Sequence, residues 1–242
     1  MQTFEKGGYR VRVAVDAADV RAARALRHKA FFGTEGQDSD PFDAQCSQIL
    51  LEDFGGRLLG CFRLQLLAQS ADITKSYAAQ FYALEALAGF DGPLLELGRF
   101  CVDPALRDPN VLRIAWAALT RYVDENAVKM LFGCVSFAGV TPEPYQDSFA
   151  LLRARHLAPP PWQPGVKARR VVRFAARAPV RPDLKRALAQ MPPLLRSYLA
   201  MGGWVSDHAV VDAHLGTLHV FTGLEVGAIP PARQRLLRSL AA

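Results

Sequence analysis

One stretch constrains this chain more than any other: Leu94-Leu95-Glu96-Leu97-Gly98-Arg99-Phe100-Cys101-Val102-Asp103-Pro104. Its apolar run is that of a buried strand ended by Asp-Pro turn chemistry, yet an acid, a base and a glycine stand in its interior. Residues three apart on a regular strand point to opposite faces, so Glu96 and Arg99 would not meet. Gly98 changes that expectation. A glycine inside a strand pattern marks a β-bulge, and one extra residue reverses the alternation and turns both side chains toward one cleft. A bulge also leaves a backbone N–H unpaired. A free donor beside a buried carboxylate is the minimum that acyl transfer to an amine requires: a base for the amine proton and a dipole aimed at the developing oxyanion. On this stretch alone a structural ion pair is the alternative.

The chain of 242 residues is 50% hydrophobic, enough for one elaborated domain. No apolar run approaches the roughly 20 residues of a spanning helix. Met1-Gln2-Thr3-Phe4-Glu5-Lys6 lacks the charged-then-apolar pattern of an export signal, so the expected location is cytoplasmic. Cys46, Cys61, Cys101 and Cys134 have neither CxxC nor Cys/His ligand spacing, which predicts reduced core residues and no metal site. The formal charge of +6 is unevenly placed: Arg153 to Arg186 holds ten Lys and Arg against one acid, Asp183. An acidic partner is implied, either a carrier protein, an anionic membrane surface or nucleic acid; no nucleic-acid reader motif accompanies the charge.

Alternation over Tyr9–Val15 predicts a half-buried strand. Asp16 then caps a helix through about Phe32, with Asp19 in its first turn. Arg27 lies one turn from Phe31, and by spacing alone it reads as a solvated charge. The loop from Gly33 to Phe42 and the following Asp43 bring Asp38, Asp40 and Asp43 within six residues, without metal-loop spacing; cation binding and loop solvation both fit. Phe54-Gly55-Gly56 joins strands Ser47–Asp53 and Arg57–Leu66 as a hairpin, the second interrupted by Arg63. The pattern further predicts helices near Ala78–Ala88, Asn110–Asn126, Glu143–Arg155, Pro182–Met191 and Pro193–Met201. It predicts strands at Met130–Phe137 and Ala168–Ala176, and strands or turns at Gly203–Val205, Ala209–Val211 and Thr217–Thr222. Pro231–Leu240 reads as a short basic amphipathic tail.

The order strand, helix, hairpin, strand, helix, strand, helix, strand resembles the Gcn5-related N-acyltransferase fold: an α/β (α+β) mixed central sheet flanked by helices. Arg27 with Phe31, the trio Asp38-x-Asp40-x-x-Asp43, Arg63 and Glu96-x-x-Arg99-Phe100 are similar to the motif set of acyl-homoserine-lactone synthases. The closer match is to the L-ornithine N-alpha-acyltransferases. It is carried by Asp40-Pro41-Phe42-Asp43, Glu96 to Val102, Leu131 to Phe137, His156-Leu157-Ala158-Pro159, Pro192 to Leu199, and Gly203-Trp204-Val205 through Asp212. The resemblance implies residues 1–158 as the acyltransferase core and 159–242 as a basic C-terminal extension completing the same domain. It also implies transfer of a 3-hydroxyacyl group from acyl carrier protein to the α-amine of ornithine, giving lyso-ornithine lipid with no further cofactor. Coenzyme A enzymes of this fold carry glycines after the central strand, where backbone N–H groups hold a pyrophosphate. Here that segment reads Arg107-Asp108-Pro109-Asn110-Val111-Leu112-Arg113.

In this reading Glu96 is the base, its proton affinity raised by burial, with Gly98 and Arg99 completing the catalytic set. Arg27, Phe31, Asp38, Asp40, Asp43 and Arg63 form the substrate site, unless the arginines and aspartates pair with each other to hold the loop. Arg153, Arg155, Lys167, Arg169 and Arg170 are the expected docking surface for the acidic carrier. The amphiphilic product implies peripheral contact with the inner face of the membrane. Acylation of another amino acid, lactone synthesis and a non-catalytic carrier- or membrane-binding module are the competing readings.

Overall fold

In the computed structural model residues 2–177 and 181–241 are described; the Arg177 side chain, one of the ten basic groups counted above, lies outside the description. The first elements are β1 (Phe4–Lys6), β2 (Tyr9–Val13), α1 (Ala17–Phe32), β3 (Ser47–Asp53), β4 (Leu58–Leu67), β5 (Tyr82–Ala83), β6 (Leu94–Val102) and α2 (Asn110–Glu125). They are followed by β7 (Met130–Ala138), α3 (Gln146–Arg155), β8 (Gly165–Val166), β9 (Val171–Arg173), α4 (Phe174–Arg177) and α5 (Leu184–Gln190). The last are α6 (Pro193–Ala200), β10 (Trp204–Asp212), β11 (Thr217–Glu225) and α7 (Pro231–Ala241). Two compact units result: Met1–Leu66, Leu95–Val128 and Pro231–Ala242 form one, and Leu67–Leu94 with Lys129–Pro230 the other.

In the first unit the strands run in the order β1-β2-β3-β4-β6. Gly7 and Gly8 (φ 60 and 91) make the tight turn between β1 and β2, a primed two-residue hairpin that only left-handed residues allow. This hairpin is an addition to the strand expected from Tyr9 onward. The helix cap is as expected, with Asp16 accepting from Asp19 N at 2.8 Å; Gly33 (φ 71) ends α1 by donating to Lys29 O. Leu50 and Cys61 pair across β3 and β4 and share a cluster with Ala23 and Leu26 of α1 and with Cys101 of β6. On the opposite face, Gly60 leaves room for Val111 of α2; a Cβ there would stand 3.6 Å from Val111 and 3.0 Å from Cys101 O. Gln48 and Arg63 pair two residues along from Leu50 and Cys61. By the two-residue strand period they face α1, and so the sheet carries polar groups under the end of that helix.

In the second unit β7-β11-β10-β9 are hydrogen-bonded neighbours, each pair antiparallel. The helix expected near Ala78–Ala88 is replaced by short 3-10 turns at Ala78–Gln80 and Glu85–Gly89 around strand β5. The physical reason is a distant partner. Tyr82 and Ala83 pair with Val166 and Gly165 of β8, and Phe81 O accepts from Ala168 N at 2.9 Å, which locks the segment extended. The strand expected over Ala168–Ala176 is shorter, since pairing with β10 covers only Val171–Arg173 before α4 begins. Among the described residues no helix is long and apolar enough to cross a membrane.

Candidate active site

Arg27 overturns its reading as a solvated charge: it is 0% exposed. Burying a guanidinium is tolerable only when it is paired and hydrogen-bonded, and the loop after α1 supplies the partners. Arg27 donates to Asp38 through Nε and to Asp43 through Nη1, both at 2.7 Å. Arg63 Nη1 donates to Asp40 at 2.7 Å and to Asp43 at 2.9 Å. Arg99 donates to Asp38 through Nε at 3.0 Å and to Asp40 through Nη2 at 2.8 Å. Each of these three arginines therefore bridges two of the aspartates, and each aspartate two of these arginines, a closed ring of six alternating charges within the first unit. The pairing of these arginines and aspartates with one another, one of the two uses left open for them, is present in the structure.

Local geometry holds the ring in place. Asp40 caps the 3-10 turn Pro41–Gln45, accepting from Phe42 N at 2.9 Å, and Asp43 reaches back to the Asp40 amide, a capping box made from two members of the ring. The Arg63 guanidinium lies over the Phe42 ring and that of Arg99 over the Phe31 ring, each 5.9 Å from the centroid, in cation–π range. Burial would raise the Asp40 and Asp43 carboxyls, but Arg63 and Arg99 for the first, and Arg27 and Arg63 for the second, hold both below their ordinary value. Among the described residues no cluster of His, Cys, Asp and Glu is suited to a metal ion.

Strand β6 runs without a break over Leu94–Val102, and its one left-handed residue is Arg99 (φ 51), next to the glycine where a bulge is expected. For a non-glycine residue that conformation costs about 1–3 kcal/mol and persists where surroundings impose it; here two carboxylates do so. Gly98 serves close approach, because a Cβ at this position would stand 3.3 Å from Arg63 Nε. Glu96 is buried at 3% exposure. It lies within electrostatic reach of Cys46, which also senses Arg63, Asp40 and Asp43. Glu96 and Arg99 are thus brought to one neighbourhood, with Arg27, Phe31, Asp38, Asp40, Asp43 and Arg63 around them. Arg153, Arg155, Lys167, Arg169 and Arg170 belong to the second unit, all exposed.

Three participants escape sequence reasoning. Arg24 donates to Asp43 at 3.1 Å, and Gln48 bonds both Asp43 (3.2 Å) and Arg27 (3.3 Å). Their signals are faint but present: Arg24 is one helical turn before Arg27, and Gln48 is an amide inside an otherwise apolar buried strand. Cys46 is the third, its thiol pushed up to about 11, chiefly by burial. A protonated thiol is a poor nucleophile.

The mixed sheet flanked by helices, with a buried carboxylate on its strand β6, is the architecture of the Gcn5-related N-acyltransferase class. Residues 23–117 match the family model described as acetyltransferase (GNAT) domain. An N-acyl amino acid synthase from uncultured soil microbes shares the fold, with a TM-score of 0.54 at 13% identity over 90% of this chain and 92% of that one. The L-ornithine N(alpha)-acyltransferase of Rhodobacter capsulatus is 32% identical over 238 residues, 91% of each chain. That of Brucella abortus is 29% identical over 243 residues, covering 92% of this chain and 86% of its own. The chain belongs to the L-ornithine N(alpha)-acyltransferase family.

Proposed function

We propose that the protein moves a 3-hydroxyacyl group from acyl carrier protein to the α-amine of L-ornithine, giving lyso-ornithine lipid. The observation that carries this reading is Glu96, a buried carboxylate on the strand whose left-handed residue is Arg99, in a member of an ornithine acyltransferase family. Glu96, directly or through one water, removes a proton from the α-ammonium. The freed nitrogen attacks the thioester carbonyl, backbone N–H groups near Gly98 stabilise the oxyanion, and the tetrahedral intermediate collapses with loss of the carrier thiol.

Ornithine is read at the open edge of the charge ring. The Asp40 side chain is 16% exposed, against 2% to 6% for Arg63, Asp43, Asp38 and Arg99. Asp40 receives the side-chain ammonium and Arg99 the carboxylate, while Arg27, Phe31, Asp38, Asp43 and Arg63 position them. A carrier-bound donor is favoured over coenzyme A by the start of α2. Pro109 has no N–H there, and the Asn110 amide is already taken by Asp108 at 2.9 Å, so an anion finds a carboxylate where it needs donors. The exposed cations Arg153, Arg155, Lys167, Arg169 and Arg170 suit an acidic carrier. Helix α7, with Leu236 49% exposed among Arg233, Arg235 and Arg238, suits peripheral contact with an anionic membrane face.

Mass spectrometry of purified protein with 3-hydroxypalmitoyl carrier protein and a mixture of free amino acids tests this. Acyl-ornithine is the expected product, and Asp40→Asn raises the ornithine KM more than it lowers kcat. A product on another amine sinks the ornithine assignment, and turnover with the coenzyme A thioester alone sinks the carrier.

A further inference from the structure

Gln65 follows Arg63 on the same face of β4, and neither the charge ring nor the proton transfer above uses it. It is 6% exposed. Its Nε2 donates to Gln45 Oε1 at 3.2 Å, while its own Oε1 is buried and has no hydrogen-bond partner among the described residues. Native structures rarely leave such an acceptor unmet.

Strand directions place that oxygen. Leu59 O accepts from Asp103 N at 2.8 Å, Cys61 Sγ lies 3.5 Å from Cys101 Sγ, and a Cβ on Gly98 would stand 3.3 Å from Arg63 Nε and 3.5 Å from its Cγ. Numbers rise along β4 as they fall along β6, so the two strands are antiparallel, and Gly98 shares a face with Arg63. Two residues farther on in the same direction come Gln65 and Glu96, and the two-residue period keeps both on that face. The other flank is β3. Gln48 opposes Arg63 and Ser47 opposes Leu64, so Cys46 comes beside Gln65, and Cys46 feels the charge of Glu96. Cys46, Gln65 and Glu96 therefore form one row across neighbouring strands, with the amide in the middle, wholly inside the first unit.

An amide oxygen takes only a donor. The acceptor's α-ammonium has to come within a hydrogen bond of Glu96, directly or through one water, to lose its proton, and it carries three N–H groups. One contact leaves the nitrogen free to swing, whereas a second, at the neighbouring amide oxygen, fixes where it sits. A water held on Oε1 for stability alone is the competing occupant, and it predicts different measurements.

We propose that Gln65 Oε1 binds the α-amine of the acceptor: it accepts one N–H of the ammonium while Glu96 removes another proton, and so positions the nitrogen for attack. The proposal rests on the acyltransferase reading and adds to it the residue that holds the nucleophile.

The test measures kcat, ornithine KM and carrier KM with 3-hydroxypalmitoyl carrier protein in wild type, in Gln65→Met, which keeps the length and loses the acceptor, and in Gln65→Glu, which keeps both shape and acceptor. Losing a hydrogen bond to a charged donor raises the ornithine KM of Gln65→Met about 10–100-fold, with the carrier KM unchanged. Gln65→Glu retains most of the affinity. Its kcat/KM profile has an acid limb displaced to higher pH, because a second carboxylate beside Glu96 makes the base harder to ionise; the other charged groups around the row, Arg63, Asp40 and Asp43, are the same in both proteins. Should Gln65→Met not fold, the pH profile of Gln65→Glu decides. A water held for stability predicts a lower Tm in Gln65→Met with an unchanged ornithine KM. That result, or an acid limb of Gln65→Glu at its wild-type pH, overturns the proposal and leaves the acyl transfer standing. Wild-type protein that forms no acyl-ornithine overturns the acyl-transfer reading, and this proposal with it.

Discussion

Replacing Asp43 by Asn removes one negative charge from the closed ring while keeping the side-chain volume. Asp43 accepts from Arg27 at 2.7 Å, Arg63 at 2.9 Å, Gln48 at 3.2 Å and Arg24 at 3.1 Å. Side-chain exposure is 2% for Asp43, 0% for Arg27 and 2% for Arg63, so water cannot replace the lost charge. The variant leaves three buried guanidiniums facing two carboxylates, and breaking a buried pair in this way costs about 3–5 kcal/mol. For a chain of this length that is a fall of about 6–20 °C in Tm. The assay is urea and thermal unfolding followed by circular dichroism, with Lys75→Ala as control. Lys75 pairs with Asp72 at the surface, the two side chains 69% and 39% exposed, and its loss produces no measurable shift. A loss below about 1 kcal/mol in Asp43→Asn would refute the view that the ring fixes the loop onto the sheet.

Acid should dismantle the same ring. Paired arginines hold the folded-state pKa values of Asp40 and Asp43 below the ordinary carboxylate value, and outside the ring Asp19 and Asp103 are lowered to about 2; the unfolded chain therefore takes up protons first. Their stabilisation is complete above about pH 4 and drains away as pH falls toward 2, which a urea midpoint measured against pH will follow; a flat profile would contradict it. The KM for acyl carrier protein should rise steeply with salt, and charge reversal at Arg153, Arg155, Arg169 and Arg170 should raise it at low salt while leaving the ornithine KM alone. Cys46→Ala and Cys101→Ala should both turn over, since direct amine attack needs no thiol; a folded variant of either with no activity would point to an acyl-enzyme.

Much of this was legible locally. The Asp16 cap, the Phe54-Gly55-Gly56 hairpin and the anomaly at Glu96–Arg99 are short-range signals, and each element lies where its residues place it. The failures share a different origin. Arg27 looks solvated because its neutralising partners lie 11 and 16 residues away, beyond any helical spacing. Phe81, Tyr82, Leu84 and Leu87 have helix-like spacing, yet β8 claims Tyr82 and Ala83 from some 80 residues downstream. Gln48 and Arg24 carry ordinary local signals, and only the paired register of β3 and β4 brings Gln48 opposite Arg63.

The most direct test of the account is the pre-steady-state rate of acyl-ornithine formation in Glu96→Gln, with folding verified by circular dichroism. Loss of a general base predicts a fall of about 10²–10⁴ in the rate of the chemical step with both substrate KM values near wild type, and a deficit that shrinks as pH rises and ornithine deprotonates unaided. A near-normal rate, or an equal loss at every pH, would contradict Glu96 as the group that takes the proton.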